Sequence, residues 1–310
     1  MNSRGIAFCT LITCFVAQVY AGGFSKLPVS ARAVTMGGSL VSFADDPNSL
    51  FYNPAGIASL RFISVSTSYT QLFTGVTDDR LSYLSGSAVA NLGFAGNLGV
   101  GVRSFSSNVW KEQELVGAYA QQLFDFLTIG GSAKFMYWST PAPSGLLAVP
   151  EDGLSKLTLS FDVGVQSIVH DIIKDNDVVF GIAFGDITRP SIATNGSGDG
   201  NLDLRMAAGA SYISRVHDYI LTVHYTVAGE TRRLGIGAEF IAMKTSLLDQ
   251  PIEVTVRVGG GGLQSSQKQA DINGGLGLRV ADLLLDYAFT HQTEFLNIGG
   301  THHLTLRYSF

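Results

Sequence analysis

Residues 301–310 read THHLTLRYSF. Successive side chains of an extended strand point to opposite sides, so Leu304, Leu306, Tyr308 and Phe310 share one face and His303, Thr305, Arg307 and Ser309 the other. The same division runs back along the chain. Leu283, Leu285, Tyr287 and Phe289 oppose Asp286 and Thr290. Ile252, Val254, Val256 and Val258 oppose Glu253, Thr255 and Arg257, and Leu234, Ile236, Ala238 and Phe240 oppose Arg233, Gly235, Gly237 and Glu239. About fourteen such segments follow residue 61, near 62–71, 81–90, 93–104, 113–123, 127–138, 156–166, 177–186, 202–213, 218–228, 232–242, 252–260, 269–279, 282–290 and 302–310, an even number as bacterial barrels require.

Period two alone fits a soluble sandwich as well as a membrane barrel. Composition separates them. Of 310 residues, 46% are hydrophobic and only 15% charged, which is poor in charge for a soluble domain. Yet no apolar run after the first twenty positions is long enough for a spanning helix. The polar faces carry Gly, Ser and Ala beside their charges, and Tyr212, Tyr219, Tyr225, Tyr287 and Tyr308 on the apolar faces suit an interfacial girdle. The expected fold is all-β: a transmembrane antiparallel β-barrel of about 14 strands. With both termini on one side, links after odd strands should be long, as STPAPSGLLAVPEDG and ITRPSIATNGSGDG are. Links at 91–92, 124–126, 214–217 and 280–281 are tight. Those at 167–176 and 243–251 read as longer than this rule prefers, and the link after the ninth strand as shorter.

At the N-terminus, Arg4 precedes an apolar stretch from Gly5 to Val19, and Val19-Tyr20-Ala21 has the spacing of a cleavage site after Ala21. Residues 1–21 therefore read as a signal peptide. Both cysteines, Cys9 and Cys14, fall within it, so the mature chain is expected to use neither disulfides nor thiol chemistry. The mature chain carries 19 basic and 25 acidic residues, net −6, which gives no footprint for nucleic acid.

Residues 44–56, ADDPNSLFYNPAG, break the alternation. Asp46-Pro47 and Asn53-Pro54 each pair a helix N-cap with a proline in the first turn, and Ser30 is a third N-cap ahead of the Gly37-Gly38 stop. A fourteen-stranded barrel is wider than side chains alone can fill. Residues 22–60 are thus expected to form an N-terminal helical hatch in or at the mouth of a barrel built from 61–310. Gly37 and Gly38 are expected to permit positive φ or close approach to the wall, Asp45, Asp46 and Asn53 to cap helices, and Arg32 to pair with Asp45 or Asp46, since a lone buried charge is costly.

These residues carry a resemblance. SARAVTMGGSLVSFADDPNSLFYNPAGIASL resembles the N-terminal signature of the PorV/PorQ family of outer-membrane proteins, within the wider FadL-like superfamily: Arg32, Met36-Gly37-Gly38, Ala44-Asp45-Asp46 and Asn53-Pro54-Ala55-Gly56 occupy its places in order. The likeness continues weakly through FDVGVQ, GIAFGDITRPSI, GLGLRV, LDYAF and THHLTLRYSF. It implies an outer-membrane protein that serves type IX-like protein secretion and binds secretion-system proteins. The alternative within the superfamily is a channel importing hydrophobic small molecules. The loop residues Leu146, Leu147 and Val149 are the local support for the importer. Terminal Phe310 is similar to the signal read by the barrel-assembly machinery.

Alternation points Lys134, Asp162, Arg205, Glu239, Arg257, Arg279, Asp286 and Arg307 into the lumen, beside the hatch. No enzyme is expected. His170, His217, His224, His291, His302 and His303 show no metal spacing, VGGGGLQ at 258–264 lacks a phosphate-loop Lys, and no G-x-S-x-G is present. No cofactor is implied, and Asn195-Gly196-Ser197 reads as a turn.

Overall fold

A computed structural model describes Phe24 and residues 28–43, 45–141, 153–194, 200–264, 269–294 and 299–310. The expected signal peptide, Ala44, the loop residues Leu146, Leu147 and Val149, and Asn195-Gly196-Ser197 lie outside the described residues.

Among the described residues, fourteen strands follow one short helix and two 3-10 helices. In chain order the strands are β1 (Ser64–Gln71), β2 (Ser82–Asn91), β3 (Asn97–Ser106), β4 (Lys111–Phe124), β5 (Leu127–Ser139), β6 (Ser155–Ile173), β7 (Asn176–Gly185), β8 (Arg205–Ser214), β9 (Tyr219–Ala228), β10 (Thr231–Leu247), β11 (Gln250–Gln264), β12 (Gln269–Val280), β13 (Leu283–Gln292) and β14 (Thr301–Ser309). Each pairs antiparallel with its sequence neighbour, and β1 pairs with β14 from Ser64↔Ser309 to Gln71↔His302, closing the sheet. Closure satisfies every strand edge inside the ring, which is what a sheet needs in hydrocarbon.

The outer surface rules out a soluble sandwich. Leu115, Ile236 and Leu306 are 51%, 59% and 42% exposed, and equivalent positions on every strand form one continuous apolar band that only lipid can cover. Tyr69, Tyr137 and Tyr225 stand on this face near the long-loop end, with Tyr119 and Tyr308 near the other, so aromatics flank the band on both sides. Among the described residues no helix is long and apolar enough to cross a membrane.

Strand length corrects the expected connections. β6 runs to Ile173 and β10 to Leu247, so the links to β7 and β11 are two-residue turns, 174–175 and 248–249. The two supposed exceptions to short turns at this end vanish. Both strand ends had been missed because both of their faces are exposed beyond about residues 168 and 241, and without a lipid side and a lumen side nothing enforces alternation. The link after β9 is indeed short, residues 229–230.

Candidate functional site

Residues 28–60 fill the lumen on its turn side, where they touch inner faces around most of the ring. Ala31 N donates to Thr305 Oγ1 on β14 (2.9 Å), Ser85 Oγ on β2 donates to Val29 O (2.7 Å), Ser42 and Ser211 Oγ on β8 lie 2.7 Å apart, and Gln166 Nε2 on β6 donates to Phe43 O (2.9 Å). The segment is only partly helical: α1 (Ala31–Thr35) has five residues, and the 3-10 helices Pro47–Phe51 and Pro54–Ser59 have five and six. The rest is turn and extended chain, so its fit rests on hydrogen bonds to the wall more than on helix packing.

Three of the caps read from sequence are in place, while Asp45 caps no helix and binds Arg32 instead. Ser30, Asp46 and Asn53 accept from Ala33, Asn48 and Ala55 N respectively, with Pro47 and Pro54 in the first turns. Each cap has a second task or a neighbour that does. Asn53 Nδ2 donates to Val41 O (2.8 Å) and to Val165 O of β6 (3.1 Å), and Asn48 bridges Ser66 and Ser87 on β1 and β2. Gly37 and Gly38 have φ of +84° and +95°, and a Cβ on Gly37 would come within 2.6 Å of Ile236 N. Gly56 leaves room for Phe43 O. Tyr52 OH accepts from Val29 N (2.9 Å), and burial pushes its phenol well above the ordinary value against the smaller opposing effect of that bond.

Arg32 anchors the plug to one side of the wall. Its Nε and Nη2 donate to Glu239 (2.8 and 3.0 Å), its Nη1 to Asp45 Oδ1 (2.8 Å), and its guanidinium lies over the Phe43 ring. Glu239 also accepts from Arg257 Nε (2.6 Å), whose Nη1 reaches Asp286 (2.5 Å), and Arg307 Nη1 contacts Asp45 O (3.0 Å) and Asp46 Oδ2 (3.2 Å). The expected pairing with Asp45 is thus one link of a chain across β10, β11, β13 and β14. Opposite it, Leu50, Phe51, Ile57 and Leu60 pack on Val89, Val116, Ala118 and Ala120 of β2 and β4. One flank is ionic, the other apolar.

Further lumen charges are paired among themselves, Arg233 with Asp271 at 2.7 Å among them. Lys134 Nζ lies 2.6 Å from both Asp162 and Asp186, with Arg205 3.6 Å from Asp162. Arg103 and Glu114 pair at 2.9 Å; sequence reasoning passed over both, although they share the inward parity of β3 and β4. Arg279 is a correction. It has inward parity but is 44% exposed at the turn end, beside Glu253 at 3.3 Å, because the lumen there has already given way to water.

Above the plug, toward the long loops, lies an open cup of about 520 Å³. Val34, Gly38, Ser39 and Tyr52 form its floor; Phe24, Leu72, Leu202 and Leu263 give it apolar wall, and Arg205, His224, Arg233, Asp271 and His303 polar wall. Phe24 and Leu202 belong to a cluster with Met136, Trp138 and Trp110, the two indoles stacked at 4.5 Å. Phe24 and Leu72 lie outside the alternating segments, so no periodicity marks them; Leu202 stands at the start of the alternating segment 202–213 but precedes β8, which begins at Arg205. Among the described residues no cluster of His, Cys, Asp and Glu could hold a metal. A floor under an open, partly apolar cup can hold a small solute.

Among solved structures the chain is similar to a FadL homologue of Pseudomonas aeruginosa (13% identity, 92% of this chain and 98% of that one, TM-score 0.58). The fold is that of the FadL-type barrels. It is equally similar to the CymD monoaromatic hydrocarbon channel (14% identity, 93% and 99% covered, TM-score 0.59). No protein-family model and no curated protein matches the sequence. At such identities the likeness concerns the fold alone.

Proposed function

We propose that the protein is a bacterial outer-membrane channel that admits small, predominantly apolar molecules, which settle in the cup before the plug yields. The supporting observation is the cup itself: about 520 Å³ with a wall of Phe24, Leu72, Leu202 and Leu263 over a plug held to the barrel by ion pairs. A fold relative at TM-score 0.59 is described as a monoaromatic hydrocarbon channel, which agrees with this reading. By the rule that bacterial barrels keep their turns in the periplasm, the cup faces outward. Export through residues 1–21 and assembly through Phe310 belong to the same proposal; deleting Phe310 should lower the level of barrel recovered from outer membranes.

Toluene crosses a phospholipid bilayer unaided, so uptake by intact cells, whose lipopolysaccharide leaflet resists apolar solutes, tests the channel reading. Leu202→Asp places a carboxylate in the apolar wall, and its desolvation should cut the rate for toluene about ten-fold or more. Toluene uptake by cells carrying the unaltered protein equal to that of cells lacking it would refute the channel. The secretion-accessory reading stands second: it draws on the resemblance of Arg32 through Gly56, and its observation is a turn-side surface described below.

A further inference from the structure

β10 outruns its neighbour. Its ladder with β9 ends at Phe240↔Tyr219, whereas its ladder with β11 continues to Leu247↔Gln250. From Ile241 to Leu247 the strand therefore has a strand partner on one side only. The last link on the open side is Ile241 N donating to Asp218 O at 2.9 Å, and the Lys244 ammonium contacts Asp218 just beyond it. Ala242 to Leu247 are all exposed. Seven residues at about 3.3 Å each reach roughly 23 Å along the strand, so the β10–β11 ribbon projects past the aromatic belt at Tyr219 into the turn-side compartment.

The direction of its free amides follows from parity. Ile241 faces inward and aims its N–H at the β9 side. The one-residue bulge at Ala242 resets the register, after which Met243 opposes Val254 and Lys244 opposes Glu253. Lys244 and Ser246, again inward-facing, therefore aim their N–H groups at the open edge, while Met243, Thr245 and Leu247 bond toward β11. The outer face of the ribbon is largely apolar, Met243 opposing Val254, Thr245 opposing Ile252 and Leu247 opposing Gln250. Its inner face is polar, with Lys244, Ser246 and Glu253. Leu248 at the tip is 88% exposed.

The other long ribbon, β6–β7, shows what a protected edge looks like. Its ladder jumps from Val169↔Val178 to Ile173↔Asn176, Asp171 takes φ of +52°, and Arg215 clamps Asp171 and Asp177 at 2.7 Å each. Bulges and charges of this kind keep edges from pairing. Beyond Ala242 the β10 edge has neither proline nor a further bulge.

We propose that the Ile241–Leu247 edge of β10 is a docking site for an extended segment of a periplasmic protein, added as a strand in the line that a longer β9 would occupy. Only an extended chain satisfies a row of main-chain groups, and the two faces of the ribbon select one with apolar and polar residues alternating. A second copy in the same membrane does not fit. Two barrels share the membrane normal, so their β10 strands run the same way, tilted about 40° each, and cross at roughly 80° instead of forming an antiparallel ladder.

The test is hydrogen exchange on the full protein in nanodiscs, with the peptide KTVTVTVK and its proline-interrupted control KTVPVTVK. The first peptide should slow exchange in 242–247 about three-fold or more and the control should not, since opening of an added strand governs its amides. Ser246→Pro removes an edge amide without touching the β11 ladder and should abolish the effect. Ser246→Lys, a charge of the kind that blunts edges, should weaken it even if the proline variant assembles poorly. No slowing with KTVTVTVK, slowing elsewhere only, or equal slowing in Ser246→Lys would overturn the proposal. Protection of 242–247 that rises with protein concentration without peptide would assign the edge to a second copy and overturn it as well.

Discussion

Arg32→Met should turn a closed barrel into a leaky one. The methionine keeps most of the side-chain volume but leaves Glu239 with one partner, Arg257, and Asp45 and Asp46 facing Arg307 alone. Removing one member of a buried ion network costs about 3–5 kcal/mol, because the remaining charge stays desolvated. That loss falls on the plug, since the barrel ladders do not involve Arg32. In planar bilayers the variant should show steady conductance where the unaltered protein is closed, and residues 28–60 should become open to protease. Glu239→Gln added to Arg32→Met should recover part of the seal, because it removes one of four carboxylates (Asp45, Asp46, Glu239 and Asp286) left facing two cations, Arg257 and Arg307. Conductance of Arg32→Met indistinguishable from the unaltered protein would mean that the apolar flank alone holds the plug.

The second large effect is expected from wall glycines. A Cβ on Gly259 would fall on Thr35 O, and one on Gly181 on Val41 O, both main-chain atoms of the plug that cannot swing aside. Gly274 lies on the outer face with nothing within 4 Å of such a Cβ. Gly181→Ala and Gly259→Ala should each destabilise by about 1–3 kcal/mol through overpacking, read as lower resistance to urea. Gly274→Ala should be silent or slightly stabilising. Equal effects at all three positions would show that these glycines serve the strands and not the plug.

Those glycines also show how legibility divides. Alternation places Gly259 inward and Gly274 outward, but nothing local distinguishes Gly259, which meets the plug backbone, from Gly261, also inward, which meets the Arg233 side chain. The caps at Ser30, Asp46 and Asn53 are legible because they act within three residues of themselves; Asp45 beside them binds Arg32 across the plug instead. Arg32 was legible as a buried cation needing an acid, yet its strongest partner, Glu239, lies 207 residues away. Cup residues such as Phe24 and Leu72 carry no signal, since they lie outside the periodic segments.

By itself the sequence determined the barrel, the number of its strands, the inward or outward side of most residues and the positions of the plug's turns. All of these follow from rules that act between near neighbours: period two in a lipid-bounded sheet, and capping. Only the tertiary structure decided which charges meet, which glycines touch the plug, where the cup opens, and that β6 and β10 run on past the membrane. Those outcomes depend on where the closed ring brings distant segments together, and past the lipid boundary the solvent is the same on both faces, so the sequence pattern that marks a strand disappears while the strand continues.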